Sequence, residues 1–347
     1  MKKPRFQKQA IMLRVLYALL PVLLVAIYYF GWRILAIMAV SLIFAFVTEW
    51  TMASYRNGKV SYACFVTASL YGLSLPPTTP FWITAVGAVV AILFGKEVFG
   101  GFGKNVFNPA VVGRAFVYVC FPVELTSQFV LAFHGFPGGF AHWSFTALHK
   151  TPTYLVEQGV KMVDAISAAT PMWSRRDYGI TTDLMNLVAG NIGEVVSHAG
   201  NPYVIAAGSA GEGCAIVILL SAIYMFYTKT AQYRLFAGTI IGAMFLNILL
   251  RNILGLEKVP PLWFTLFSGA LLYAAVFMVT DPVSAPKSKT SQWIYSIFIG
   301  MMIVLFRYKA VFAGGVAFSI LLGNMLAPSL DLWLKRYQKH KAKVSAP

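Results

Sequence analysis

Charge is the scarcest resource in this sequence. Only 12% of its 347 residues are charged while 58% are hydrophobic, about half the charged share of a soluble domain. A chain of this length cannot hide so much apolar surface in one water-bounded core, so lipid must cover part of it. A soluble enzyme is thereby excluded. Cysteine is nearly absent: Cys64, Cys120 and Cys214 form no CxxC pair. That excludes a four-thiolate zinc or iron–sulfur site within the chain, and the three read as small buried thiols. Histidine is missing from every apolar run. His134, His142, His149 and His198 fall in one polar stretch and His340 in the C-terminal tail, so a haem held between spans has no axial ligands. No cleavable signal peptide is expected, because the first apolar run is too long and lacks a small-x-small site.

What is present is a series of apolar runs at about 11–30, 34–54, 61–75, 81–95, 109–122, 204–228, 233–253, 261–280, 291–306 and 311–328. They predict an all-α polytopic membrane fold of ten spans. Several runs are short, and the stretches LPPTTP and GKEVFGGFGKNVFNP beside them are rich in Pro and Gly. Such interruptions place irregular backbone inside a bundle, where it can line a site.

The net charge of +16 is explained by its distribution. If the N-terminus is cytoplasmic, eighteen Lys and Arg fall on that side, from Lys2 through Arg56, Lys59, Lys96, Lys104, Lys229 and Lys287 to Lys343. The short loops opposite hold five: Arg33, Arg251, Lys258, Arg307 and Lys309. Both termini are therefore expected in the cytoplasm, with the basic charge facing the inner leaflet rather than nucleic acid.

The sequence also echoes itself. YGLSLPPTTPFW, an apolar stretch and FGKEVFGG (94–101) resemble VFMVTDPVSAP, an apolar stretch and FRYKAVFAGG (306–315). An odd number of helices per half would invert the second copy relative to the first, giving two inverted five-helix repeats with sites between them near midplane. The expected organisation is a first membrane half (1–122), an extracytoplasmic cap (123–203) and a second membrane half (204–347).

Two runs carry chemistry. In the cap, Asp164-Ala-Ile-Ser167-Ala168-Ala169-Thr170-Pro171 sets a Thr among small neighbours that leave its hydroxyl accessible. By local chemistry alone it reads first as a surface turn before a proline. GGFGKNVFNPAVVGRAF (100–116) lets backbone approach a ligand closely, with Asn105 and Asn108 able to read a polar ring edge. It is also readable as a packed re-entrant turn. It is not a nucleotide P-loop, since Asn105 follows Gly103-Lys104 where Ser or Thr is required. Glu49, Glu97, Glu212 and Asp281 sit in or at the ends of spans. There a carboxylate either serves an ion path or a ligand, or is paired with Arg114 or a backbone amide. Glu212, in a glycine-flanked helix start, is the strongest functional candidate among them.

Together these runs resemble the membrane-subunit family shared by the Rnf complex (RnfD) and the sodium-pumping NADH:quinone reductase (NqrB). That family shows GGxGKNxxNPAxxGRAF followed by D-x-x-S/T-x-A-T. GSAGEGCA (208–215), FMVTDPVSAP (277–286) and FAGGVAFSILLGNMLAP (312–328) extend the resemblance over nearly the whole chain. Ala168 stands where Gly is usual, a difference of one methyl. With about ten residues before its first span, the chain looks more like RnfD than the longer NqrB.

The resemblance implies a bacterial inner-membrane subunit of an ion-translocating oxidoreductase, inactive alone, with its cap on the periplasmic side. It implies FMN joined covalently through its phosphate to Thr170 by a flavin transferase that recognises Asp164, Ser167 and Ala169. It further implies a noncovalent riboflavin or similar flavin near Asn105 and Asn108, and by extension Lys104, Asp281 and Glu212. Partner subunits are required and the pumped ion is Na⁺ or H⁺. A cofactor-free inverted-repeat transporter or channel explains the spans but not the run from Asp164 to Thr170.

Overall fold

The computed structural model of the chain describes residues 5–126, 131–133, 135–144, 171–172, 175, 182–192, 195–198, 201–204, 208–309 and 314–344. It is mainly helical. Helices α1 (Ala10–Phe30) and α2 (Arg33–Tyr55) form from long, predominantly apolar sequence, with Arg14, Glu49 and the leading Arg33 as the charges within them. Gly31 turns the chain between them at φ +86, and a Cβ there would lie 2.7 Å from the carbonyl oxygens of both His142 and Trp143. Only glycine permits that approach. The N–H groups of Trp32 and Arg33 donate to those two carbonyls at 3.1 and 2.7 Å, which satisfies the start of α2 and pins residues 142–143 to the turn.

Helix α3 (Ala63–Leu73) stops before Pro76 and Pro77, and α4 (Phe81–Ile92) starts after Pro80. Proline cannot continue a helix but fits its first turn. The intervening carbonyls are not left bare: Arg33 donates to those of Pro77 and Thr79, both at 2.9 Å. That is how irregular backbone survives within a bundle. Helix α4 then widens into a π turn, Leu93–Glu97. Helix α5 (Pro109–Cys120) begins with Asn108 as its cap, its side chain accepting from Ala110 N at 3.0 Å, and with Pro109 in the first position. The short α6 (Pro122–Thr126) follows.

Further along the chain come α7 (Leu184–Ala189), a hairpin of β3 (Val195–His198) with β4 (Asn201–Val204), and α8 (Ala215–Tyr227). Helix α9 (Tyr233–Ile248) ends in a π turn, Leu249–Ile253. Helices α10 (Leu262–Phe267) and α11 (Leu271–Tyr273) lead to another, Ala274–Met278. Helices α12 (Lys289–Lys309) and α13 (Gly315–Val344) complete the fold. Strand β1 (Arg5–Gln7) pairs in parallel with β2 (Lys59–Ser61), placing Phe6 beside Val60. Helices α9 and α12 meet almost backbone to backbone. A Cβ on Gly242 would collide with Ile297 O, and one on Gly300 with Thr239 O. Small residues at a membrane helix crossing allow this approach.

Among the described residues, five helices are long and apolar enough to cross a membrane: α1, α2, α9 with its π turn, α12, and α13 as far as Lys341. Helices α3, α5 and α8 are apolar but shorter. Three expected runs are redrawn. The run at 204–228 does not begin as helix, because Gly208, Gly211 and Gly213 favour a turn and helix starts only at Ala215. The run at 261–280 breaks at Ser268-Gly269, with Gly269 at φ +62. Arg307 takes up the freed carbonyls of Thr265 and Ser268 at 2.8 and 2.9 Å. The run at 311–328 continues as helix through Pro328 to Val344, since its Leu- and Lys-rich tail consists of good helix formers. The all-α expectation also omitted the two short strand pairs.

Candidate functional site

One cavity, open at its mouth, lies between α1, α3, the loop 102–109, the end of α8 and the segment 277–283, with about 570 Å³ of empty space when the opening to solvent is counted. Its walls are mostly apolar, including Val15, Leu70, Phe102 and Phe277. The polar groups are few: Asn105, Asn108, Lys96, Asp281 and three threonines. A largely apolar cleft with a handful of placed polar groups is the usual form of a small-molecule site.

Sequence-predicted Asn105, Asn108 and Asp281 are brought together at this cavity, although up to 176 positions separate them in the chain (105 to 281). Asn105 donates to Phe107 O at 2.9 Å. Asn108 caps α5 and donates to Met278 O at 3.0 Å, while its backbone N–H donates to Asn324 Oδ1 at 3.0 Å. Asn108 therefore ties the start of α5 to elements near the end of the chain as well as lining the cavity. Each amide retains a second hydrogen for another partner. The Asp281 carboxylate accepts from Ser284 Oγ at 2.6 Å, from Ser284 N at 3.2 Å and from Val283 N at 3.4 Å. It is fixed by its own turn.

Other candidates lie elsewhere. Lys104 is exposed, its chain folded over Gly100, and it does not line the cavity. Glu212 is buried and paired with Arg114 Nη1 at 2.6 Å. The Arg114 guanidinium also lies 5.3 Å from the Tyr118 ring centroid. Glu97 pairs with Arg56. Asp164, Ser167, Ala169 and Thr170 lie outside the described residues.

Sequence reasoning misses Lys96, which counts there among the loop charges. It is 1% exposed and lines the cavity. Its ammonium donates to Glu49 Oε2 at 2.5 Å and Ser61 Oγ at 2.6 Å. Glu49 Oε1 accepts from both the N–H and the hydroxyl of Ser61 at 2.8 Å. The one signal in the sequence is a Lys-Glu pair abutting an apolar run that ends in glycine. Asn324 and Tyr295, joined at 2.7 Å, carry no comparable signal.

The chain matches the NQR2, RnfD, RnfE family over residues 3–339. It is 32% identical over 346 residues to a subunit of the ion-translocating oxidoreductase complex of Shewanella amazonensis, covering 95% of this chain and 93% of that protein. The corresponding protein of Actinobacillus succinogenes is 27% identical over 356 residues, with 94% and 92% covered. A subunit of the Na(+)-translocating NADH-quinone reductase of Azotobacter vinelandii is 34% identical over 302 residues, which is 86% of this chain but 66% of that protein. Matched over residues 3–339, and built on short helices broken around a largely apolar cavity, the chain belongs to the NQR2, RnfD, RnfE family.

Proposed function

We propose that this chain is the flavin-bearing membrane subunit of a multi-subunit, ion-translocating oxidoreductase of the bacterial inner membrane. Its relatives are named as subunits of such complexes. On this reading the protein crosses the membrane ten times as two inverted five-helix repeats, with a periplasmic cap. The packing supports the repeat: α2 lies against α3 and α4, and α4 against α5; α9 lies against α10 and α12, and α12 against α13. Helices α1 and α8, the first of each half, pack on one another.

The single observation that carries the flavin reading is the meeting of Asn105, Asn108 and Asp281 around one largely apolar cavity. A flavin ring is a flat tricycle with one apolar end and one end of alternating donors and acceptors, and this donor set fits it. When bound, the flavin supplies one-electron transfer chemistry. The chain's own work is to bind and orient the ring through the asparagine amides, to exclude water with the apolar walls, and to hold a fixed anion at Asp281. The cavity lies near the start of α1, at Met12 and Val15, and just beyond the end of α8, at Thr230. With a cytoplasmic N-terminus it is nearer the cytoplasmic face than the midplane.

A second flavin, FMN, is assigned to Thr170 as a phosphoester installed by a flavin transferase, with Asp164, Ser167 and Ala169 as its recognition residues. The other subunits of the complex supply electron donor and acceptor, and Na⁺ or H⁺ is the transported ion. The test is the visible spectrum of purified protein before and after acid precipitation. Flavin absorbance is expected in both the soluble and precipitated fractions. Colourless protein, made in cells shown to flavinylate another substrate, would instead favour a cofactor-free transporter.

A further inference from the structure

Among the described residues Lys96 is the one cation on the wall of the cavity, and its position is dictated from three sides. The π turn Leu93–Glu97 shifts the register of its helix. Gly95 packs on Pro109 so closely that a Cβ would lie 2.7 Å from Pro109 Cα, which leaves the neighbouring Lys96 turned into the protein. Glu49 and Ser61 then hold its ammonium at 2.5 and 2.6 Å. Ser61 is the last residue of β2, itself paired to the N-terminal strand β1.

A buried ammonium has three hydrogens. Two are taken by Glu49 and Ser61, which leaves a third for a ligand that reaches the ammonium. The Glu49 carboxylate is saturated on its other oxygen by Ser61, so the pair is held as a fixed dipole rather than a mobile couple. Asp281, on the same cavity, is bound within its own turn. An occupant therefore meets a stationary cation and a stationary anion in a setting where charges are weakly screened.

We propose that Lys96 binds the acceptor-bearing edge of the flavin ring, and that Glu49 sets how much positive field the ring experiences. This rests on the flavin reading above. Reduction adds electron density to the ring, so a neighbouring cation favours the reduced form over the oxidised one. Glu49 offsets that cation. The two residues consequently act on the midpoint potential with opposite sign, which a role in packing alone would not produce.

The experiment is an anaerobic reductive titration of the purified holo-complex, followed by its visible spectrum, in wild type, Glu49→Gln and the double variant Glu49→Gln/Lys96→Met. The double variant avoids stranding a buried carboxylate, which Lys96→Met alone would do. Glu49→Gln is expected to raise the potential of the noncovalent flavin. The double variant is expected to lower it below wild type and to weaken retention of added riboflavin at least ten-fold. If Glu49→Gln does not assemble, the sign of the shift in the double variant decides. Full flavin content with an unchanged potential and unchanged riboflavin affinity in the double variant overturns the role of Lys96 while leaving the cavity assignment standing. Wild-type protein without noncovalent flavin overturns the cavity assignment itself, and Lys96 with it.

Discussion

Asn324 of α13 accepts the backbone N–H of Asn108 through its side-chain oxygen at 3.0 Å, and its amide donates to Tyr295 of α12 at 2.7 Å. All three residues are buried. One side chain thus ties the glycine-rich loop before α5 to two helices near the C-terminus. Asn324→Leu should leave the Asn108 N–H and the Tyr295 hydroxyl without partners, at about 1–3 kcal/mol each. A clear drop in the unfolding midpoint of detergent-purified protein is the expected result. An unchanged midpoint would mean that the helices relax to rescue both groups.

The two cavity asparagines should separate. The Asn105 side chain bonds to its own loop, whereas Asn108 caps α5 and reaches Met278. Asn105→Leu is expected to reduce noncovalent flavin while leaving thermal stability close to wild type. Asn108→Leu should lose both, the missing cap alone costing about 1 kcal/mol. The double variant should release the noncovalent flavin and keep any covalent one. Full flavin content in the double variant would make both residues purely structural.

Breaking the buried pair of Arg114 and Glu212 should cost more than breaking a surface pair. Glu212→Ala leaves a buried guanidinium uncompensated, a loss of about 3–5 kcal/mol. Arg114→Met/Glu212→Leu should recover part of it, read as a double-mutant cycle on thermal unfolding. If Glu212→Ala unfolds like wild type yet loses electron transfer in the assembled complex, Glu212 acts on the chemistry rather than the fold.

Thr170 supplies the only attachment atom in the proposed phosphoester. Thr170→Ala should abolish in-gel flavin fluorescence of denatured protein, Thr170→Ser should retain a fraction, and Asp164→Ala should reduce loading. The intact mass of wild type should exceed the unmodified chain by one FMN less one water. Unmodified wild type from cells competent in flavinylation would remove the covalent cofactor from the reading.

Topology is checked by reporters. A fusion after Lys343, in the helical tail of α13, should read cytoplasmic, and an insertion at Gly139 should read extracytoplasmic. Both on one side would contradict the ten-span arrangement with residues 123–203 outside the cytoplasm.

The polar and apolar patterning of the chain makes most of its helices legible, because lipid exposure writes long runs directly into sequence. The glycine-rich loop likewise marks Asn105 and Asn108, which line the cavity. Lys96 is hidden for a physical reason. Counting basic residues past the end of an apolar run assumes that they snorkel to water, whereas a π turn and the contact of Gly95 with Pro109 turn this one inward. Its partner Glu49 lies on another helix, and no local pattern couples them. The breaks at Gly208–Gly213 and Ser268-Gly269 are similarly masked, since hydropathy averages over glycines that the backbone uses as turns.

The cavity is walled by residues from α1, met first as the chain is made, and by the segment 277–283, met near its end. No compartment of this shape exists on a nascent chain before α11 and its π turn have docked. An occupant held by both walls can therefore be seated only after that docking. Cells starved of that occupant should accumulate a full-length protein whose C-terminal helices remain open to proteolysis.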